Sequence, residues 1–254
     1  MITDGFDKNS KPFITPKALY GEAPRNDMVC IVTYQKDLFE YVLNNYESRL
    51  FKQYKTTGGL FDIYQIKVNG KNYLFYNTLI SATLTATLMI EIASITGCHH
   101  FVFFGSCGVL NEEKCRGRII VPTEAYRDEG ISYHYAEPSD YIKIKHTEDI
   151  IKVLEDNKLS YVSGRVWTTD GFYMETEVKL AKRKEEGCLA VEMEIAGVQA
   201  TANYYDLETY PILFPADSLD DLEWDRADFG GSKELVQQIK SFEVATKIAE
   251  SLLK

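Results

Sequence analysis

Short apolar runs alternate with helical patterns along most of this chain. Three runs, Met28–Tyr34, His100–Phe104 and Tyr210–Phe214, have the length and composition of buried β-strands. Between the first two, Thr83–Thr96 repeats its apolar residues at helical spacing and is followed by Gly97, which predicts a helix with a glycine C-cap. Strands that alternate with helices are typical of a layered α/β domain.

A β-hairpin is predicted early in the chain. The segments Phe61–Val68 and Tyr73–Ile80 flank Asn69-Gly70, a pair that favours a type I′ turn. A hairpin joins antiparallel strands, whereas crossover helices join parallel ones, so the sheet should contain both kinds of pairing. The predicted fold class is therefore a three-layer α/β/α sandwich with a central mixed β-sheet.

Further helices complete the pattern. Thr147 is the candidate N-cap of a helix over Thr147–Asn157, and Thr176 that of a helix that stops at Gly187. The spacing of apolar residues predicts two more helices, over residues 192–205 and 232–254.

The chain is predicted to consist of a short arm and one domain. Residues 1–27 are polar and contain three prolines, which is typical of an N-terminal arm that packs on the domain or on a neighbouring subunit. Residues 28–254 contain no internal repeat, low-complexity tract or linker, so we expect them to form a single domain.

Charge and cysteine content limit the classes of function. The formal net charge is −10 and the acidic residues are spread out, whereas a nucleic-acid-binding protein would carry a basic face. The five cysteines form no C-x-x-C pair, which argues against a disulfide framework or a structural zinc site. The N-terminus has no apolar signal-peptide region, and no apolar run approaches ~18 residues. We therefore expect a cytoplasmic protein that acts on a small molecule, with no nucleic-acid or membrane partner.

Small and polar residues directly follow three of the predicted strands. They form the segments Gly105–Gly108 (GSCG), Val191–Glu194 (VEME) and Pro215–Ser218 (PADS). A fourth candidate segment, Thr168–Tyr173, ends in the aromatic pair Phe172-Tyr173. Ligands of α/β sheets bind at the carboxyl ends of strands, so these segments are the predicted site.

In their order and spacing, these segments resemble the nucleoside phosphorylase and nucleosidase superfamily, in particular its purine nucleoside and uridine phosphorylase-like family. The matching stretches read FGSCGVL, AVEMEIAG and FPADSL, with the Phe-Tyr pair between the first two. The resemblance covers about residue 28 to the end of the chain. It implies cleavage of the bond between a base and a ribose, by a pentosyltransferase or a nucleosidase. It also implies a homo-oligomer, from dimer to hexamer.

The resemblance implies roles for individual residues. Asp217 corresponds to the catalytic aspartate that protonates, or hydrogen-bonds to, the purine N7, and Glu194 to the carboxylate that holds the ribose hydroxyls. The nucleoside-binding set that it implies is Phe172, Glu192, Met193, Glu194 and Trp224. Alternatives remain open, because the two glutamates could be first-turn carboxylates of a helix and the two aromatic residues could belong to the core.

The residues that would bind phosphate are mostly missing. Where the family has G-D-P-x-x-R after the first strand, this chain has Thr33–Asp37, and Phe103 replaces an arginine. Gly105 and Ser106 remain as a candidate anion-binding loop. Because arginine binds phosphate through paired, charged hydrogen bonds, inorganic phosphate is only a possible co-substrate and water is the alternative nucleophile. Asp37 lies near the position of the acidic residue that activates water in the nucleosidases. No other cofactor and no metal ion is expected.

The leading hypothesis is an enzyme that cleaves the N-glycosidic bond of a purine-like nucleoside, by phosphorolysis or by hydrolysis. A purine is favoured because the residues after Phe172 lack the glutamine and arginine with which the uridine enzymes read a pyrimidine. The alternative is a non-catalytic nucleoside-binding protein derived from the same fold. A thiol enzyme that uses Cys107 is a third, less favoured class, because the family commonly has cysteine or alanine there, which implies a buried, inert thiol.

Overall fold

The computed structural model describes residues 2–4, 6–7, 9–56, 59–221, 223–226 and 234–253, and within them ten strands form one mixed sheet. The strands are β1 Val29–Thr33, β2 Glu47–Thr56, β3 Gly59–Val68, β4 Lys71–Asn77, β5 His100–Val109, β6 Ile119–Asp128, β7 Tyr141–Lys143, β8 Tyr161–Thr169, β9 Cys188–Glu192 and β10 Glu208–Ser218. The helices are α1 Pro16–Tyr20, α2 Lys36–Asn45, α3 Ala82–Thr96, α4 Glu112–Cys115, α5 Ser132–Tyr135, α6 Thr147–Asp156, α7 Glu177–Glu185, α8 Ile195–Tyr205 and α9 Glu234–Leu252. Short 3₁₀ turns are formed by Ile2–Asp4 and Phe172–Met174.

Part of the sheet closes on itself. The strand order is β10-β6-β8-β9-β5-β1-β4-β3-β2, and β10 also pairs with β5, so that β5, β9, β8, β6 and β10 form a ring. Strand β7 pairs with β6 outside this order. Strand β1 runs parallel to both β4 and β5, whereas β3 is antiparallel to β2 and β4. The predicted mixed sheet is confirmed.

Helices cover both faces of the sheet because apolar side chains point alternately to its two faces along each strand. In β1, Val29 and Ile31 pack with residues of α2, α6 and α9. Cys30 and Val32 of the same strand pack with residues of α3 and α8. All four side chains are fully buried. This arrangement confirms the predicted α/β/α layering.

The predicted hairpin and the first long helix are confirmed. Asn69 and Gly70 have positive φ angles of 51° and 78°, as a type I′ turn requires, and they connect β3 to β4. Helix α3 ends at Gly97, whose φ of 75° is left-handed. A Cβ atom at Gly97 would lie 1.9 Å from the carbonyl oxygen of Pro24, so only glycine fits at this position.

The GSCG segment is not the loop that the sequence predicts. Strand β5 continues through it to Val109, because β10 runs alongside and pairs Leu213 with Gly105 and Phe214 with Ser106. A Cβ atom at Gly108 would lie 2.5 Å from Cδ1 of Leu219. Glycine therefore allows the chain after β10 to approach β5 closely.

Other local predictions are also wrong in detail. Thr147 is the first residue of α6, and His146 is its N-cap. The hydroxyl of Thr147 donates to the carbonyl of Pro122 at 2.7 Å rather than capping the helix. Thr176 occupies the N-cap position of α7, as predicted, but its side chain makes no cap hydrogen bond. Strand β4 ends at Asn77, short of the predicted Ile80.

The segment around α1 packs against α3. The backbone N–H of Ala23 donates to the carbonyl of Ser94 at 2.7 Å, and the side chain of Asn26 donates to that of Thr96 at 2.7 Å. The division of the chain into an arm and one domain stays a prediction. The predicted start of the closing helix at Ser232 lies outside the described residues. Over the part of the chain that is described, we find no helix with the length and apolar content to cross a membrane.

Candidate active site

A cavity of about 490 Å³ lies where β1 and β9 end and β5 pairs with β10. Tyr34 and Gln35 follow β1, Glu192 ends β9, and Asp217 lies near the end of β10. The structure brings seven of the predicted site residues to this one cavity: Gly105, Ser106, Phe172, Glu192, Met193, Glu194 and Asp217. The residues come from four separate parts of the chain, which only the fold connects.

Glu192 is held by the protein itself. One carboxylate oxygen accepts hydrogen bonds from the backbone N–H groups of Glu194 at 2.6 Å and Ile195 at 2.8 Å, at the start of α8. The other oxygen accepts a hydrogen bond from the hydroxyl of Thr168. Burial raises the pKa of Glu192 to about 7, and these hydrogen bonds partly oppose that rise. Glu192 ends β9 and is therefore not a first-turn residue of α8, but its carboxylate binds backbone N–H groups at the start of that helix. These bonds fix the backbone of its neighbour Glu194.

Glu194 has one carboxylate oxygen to spare. Its Oε2 accepts a hydrogen bond from the backbone N–H of Met193 at 3.3 Å. Its Oε1 is buried and has no hydrogen-bond partner among the described residues. Burial, and then the charge of Glu192, raise the pKa of Glu194 well above its ordinary value, while the backbone N–H groups of Met193 and Ser81 oppose this rise. Buried carboxylate oxygens are rarely left unpaired, so this atom is suited to a hydrogen-bond donor of a ligand.

Asp217 is buried and is hydrogen-bonded to the indole of Trp224, which the resemblance placed over the base. The indole N–H of Trp224 donates to Oδ2 of Asp217 at 2.7 Å. Trp224 does not line the cavity, so the structure does not support its predicted place over the base. The reason is the backbone pairing of Ser218 with Asp225, which turns the chain back toward the end of β10.

The loop that carries Trp224 is tied to the rest of the protein. The Nζ atom of Lys184 donates to the backbone carbonyl of Asp220 at 2.6 Å and to its Oδ1 at 3.1 Å. The other oxygen, Oδ2, accepts from the backbone N–H of Glu112 at 2.8 Å. These contacts fix the chain at Asp220, close in sequence to Asp217.

Trp224→Phe should raise the pKa of Asp217. Burial raises this pKa and the indole hydrogen bond lowers it, so removal of the N–H donor leaves the effect of burial less opposed. A pH titration of the aspartate carboxyl carbons by ¹³C NMR would measure the shift. The matched variant Asp225→Asn should instead lower the pKa of Asp217, because the charge of Asp225 raises that pKa. An unchanged or lowered pKa in Trp224→Phe would contradict this account of the site.

Sequence reasoning missed Glu175 and Tyr34, which both line the cavity. Burial, and then the charge of Asp217, raise the pKa of Glu175 to about 7, while Lys179 opposes this rise. The ring of Tyr34 packs on Gly105, where a Cβ atom would lie 3.1 Å from Cδ2 of the tyrosine. The only sequence signals were their positions. Tyr34 directly follows β1, and Glu175 lies three residues after Phe172.

The cavity contains no obvious anion site. None of its described lining residues is a lysine, an arginine or a histidine. Gly105 and Ser106 belong to β5, and the ring of Tyr34 lies against Gly105. Both residues also line an adjoining cavity, whose described lining includes Arg116 and Lys240. Lys36 is exposed and pairs with Glu40 at 3.5 Å.

Asp37 does not reach the cavity. It lies in the first turn of α2 with an exposed side chain, and it is not among the lining residues. Tyr34 and Gln35 occupy the end of β1 instead. The predicted water-activating role of Asp37 therefore has no structural support.

The remaining candidates have clear positions. Phe172 lies at the rim of the cavity, 39% exposed, with the ring of Tyr173 edge-on at 5.0 Å. Cys107 is buried, and burial raises the pKa of its thiol well above the ordinary value, which makes it a poor nucleophile. Within the described ranges, no three histidine, cysteine, aspartate or glutamate residues cluster in a way that could hold a metal ion.

Comparison with known proteins adds independent information. A family model described as "Phosphorylase superfamily" matches residues 30–253. A guanosine phosphorylase of Halorubrum lacusprofundi is 30% identical over 121 residues, which cover 46% of this chain and 50% of that protein. DeoD-type purine nucleoside phosphorylases of Alkaliphilus metalliredigens and Colwellia psychrerythraea are 30% and 28% identical over 135 residues, 51% of this chain and 57% and 56% of theirs. The match thus spans about half the length of these curated relatives.

Proposed function

The chain belongs to the phosphorylase superfamily, and from that premise we propose that it cleaves the N-glycosidic bond of a purine-like nucleoside. The reaction takes place in the cavity lined by Phe172, Glu194 and Asp217. The names of the similar proteins, which include purine nucleoside and guanosine phosphorylases, support a purine ligand.

The unpaired Oε1 of Glu194 is the observation that carries this proposal. A buried acceptor without a partner costs about 1–3 kcal/mol, and a ribose hydroxyl would satisfy it. Bond cleavage also gives the sugar the character of an oxocarbenium ion, which a nearby carboxylate stabilises. Hydrogen bonds from the ribose hydroxyls favour the ionised form of Glu194, so the same contacts that hold the ribose would supply the charge that favours the transition state.

Asp217 supplies the proton in this proposal. The leaving base gains negative charge as the glycosidic bond breaks, and a proton at N7 removes that charge. Because burial raises the pKa of Asp217, its carboxyl keeps a proton to higher pH than an exposed aspartate does. Trp224 occupies Oδ2, which leaves Oδ1 for the base.

We infer that the nucleophile is water rather than phosphate. Phosphate is held by charge-assisted hydrogen bonds, and the described lining of the cavity offers only carboxylates and neutral groups. Tyr34 also covers Gly105, which is part of the predicted anion-binding segment. Both features favour hydrolysis over phosphorolysis.

The oligomeric state stays a prediction. Two side chains at the rim of the cavity, Ile80 and Tyr173, are 62% and 94% exposed. Apolar side chains in such positions are suited to contact with a neighbouring subunit.

Incubation with a panel of purine and pyrimidine nucleosides, with and without inorganic phosphate, tests the proposal. We expect chromatography to detect free purine base and free ribose, at a rate that phosphate does not change. Formation of ribose 1-phosphate would contradict hydrolysis. Thermal stabilisation by a nucleoside without any base release would instead support the non-catalytic binding protein.

A further inference from the structure

Two carboxyl groups, those of Asp217 and Glu175, line the cavity, and the charge of the first acts on the second. Asp217 extends from β10, and Glu175 directly follows the 3₁₀ turn that carries Phe172. The charge of Asp217 acts on Glu175 more strongly than that of Lys179 does. A ligand that fills the cavity therefore meets both carboxyl groups.

Glu175 has no hydrogen bond or ion pair with any described residue. The nearest cation along its chain, Lys179, instead donates from Nζ to Oδ2 of Asp128 at 3.1 Å. Glu192 and Asp217, by contrast, are each bonded to another group of the protein. A half-buried carboxyl without a partner in the wall of a ligand cavity is available to read the ligand.

We propose that Glu175 reads the substituent at position 6 of the purine and selects a 6-amino group over a 6-oxo group. This inference rests on the proposed function. A purine presents N7 and its 6-substituent on the same edge, with adenine offering an N–H donor where guanine offers an oxygen. If Asp217 faces N7, the adjacent carboxyl faces position 6. An ionised Glu175 accepts a hydrogen bond from the amino group and repels the oxygen.

The selectivity should depend on pH because Glu175 titrates. The groups that act on it are Asp217 from β10 and Lys179 from α7. Three further carboxyl groups line the same cavity: Glu192, Glu194 and Glu234. With a pKa of about 7, Glu175 is protonated at lower pH and then donates to a 6-oxo group. At higher pH it is ionised and favours the 6-amino group, so the preference for an amino group should rise with pH.

The ratio of kcat/KM for adenosine to that for inosine, from about pH 5.5 to 8.5, is the appropriate measurement. Asp217 and Glu194 act on both substrates, so their titration cancels in the ratio. We expect the ratio to rise on the order of 10-fold across this range, in line with a hydrogen bond to a charged group. Glu175→Gln should abolish the rise, because the amide has nearly the same size but does not titrate. Glu177→Gln, an exposed position outside the cavity, should behave like the unmodified protein.

A ratio that stays flat with pH in the unmodified protein, or that rises equally in Glu175→Gln, would overturn the role of Glu175. Failure to release base from any nucleoside would overturn the proposed function instead. In that case, calorimetric binding of free adenine and hypoxanthine over the same pH range tests Glu175 alone. An adenine preference that does not depend on pH, or on the Glu175→Gln change, would then reject the inference.

Discussion

Asp217→Asn should reduce the rate of purine release by roughly 10²–10⁴-fold, the range that a positioned general acid contributes. The asparagine keeps the shape of the side chain and can still accept the hydrogen bond of Trp224. It cannot deliver a proton to N7. Nucleoside binding should change much less than the rate, because the proton matters most when the base carries negative charge in the transition state. Base release under saturating substrate measures the effect.

Two controls separate the chemistry from a general loss of structure. Asp221→Asn changes an exposed aspartate in the same loop and should leave the rate unchanged. A nucleoside with a methylated, positively charged N7 needs no proton there, so Asp217→Asn should lose far less activity on it. An equal loss on both kinds of substrate would show that Asp217 acts in some other way than by protonation.

The pH dependence of this step follows from the environment of the carboxyl. The acid must be protonated, so the rate should fall as the pH rises through the pKa of Asp217, which burial raises. Trp224→Phe raises that pKa further and should move the decline to higher pH. The same loop contact thus sets the range in which the proposed acid is active.

The convergence of Phe172, Glu194 and Asp217 on one cavity could be predicted from the sequence, but only through resemblance. Hydrophobic periodicity predicts the strands and helices that carry these residues. It does not show which strand ends lie together, since that depends on β10 pairing with β5 in the ring. The motif order supplied the information that the pattern lacks.

Other features depended on contacts that no local pattern encodes. Strand β2 was not predicted because most of its side chains are exposed and show no regular alternation. The resemblance placed Trp224 over the base, but a local backbone pairing directs its indole to the carboxylate of Asp217. Glu175 and Tyr34 gain their importance from the cavity itself, so their sequence context alone gave no reason to choose them.

The absence of the phosphate-binding residues was visible in the sequence. The structure shows which groups line the cavity instead. A tyrosine ring lies against Gly105, and carboxyl groups dominate the charged part of the lining. Burial is the main cause of the raised pKa values of Glu175, Glu192 and Glu194, and the charge of a neighbouring carboxyl group adds to the rise in each case. Such a cavity disfavours an anionic nucleophile and favours a sugar that becomes positively charged.

Glu194→Gln should reduce kcat/KM for ribonucleosides by roughly 10²–10³-fold, the combined effect of lost hydrogen bonds to a charged group and lost stabilisation of the cationic sugar. The unpaired Oε1 of Glu194 is the group assigned to the ribose hydroxyls. The penalty should therefore shrink with 2′-deoxynucleosides and shrink further with 2′,3′-dideoxynucleosides. Comparison of the three sugars in both proteins forms a double-mutant cycle between the carboxylate and the hydroxyls.

Glu192→Gln is the matched control for this cycle, because both carboxylate oxygens of Glu192 are bonded to the protein, whereas Oε1 of Glu194 has no partner among the described residues. Glu192 accepts hydrogen bonds from two backbone N–H groups at the start of α8 and from the hydroxyl of Thr168. Its replacement should therefore lower the free energy of unfolding by about 1–2 kcal/mol. The dependence on sugar hydroxyls should remain. If Glu194→Gln lost the same activity with ribose and dideoxyribose substrates, the carboxylate would not contact the hydroxyls. Its unpaired oxygen would then require another donor.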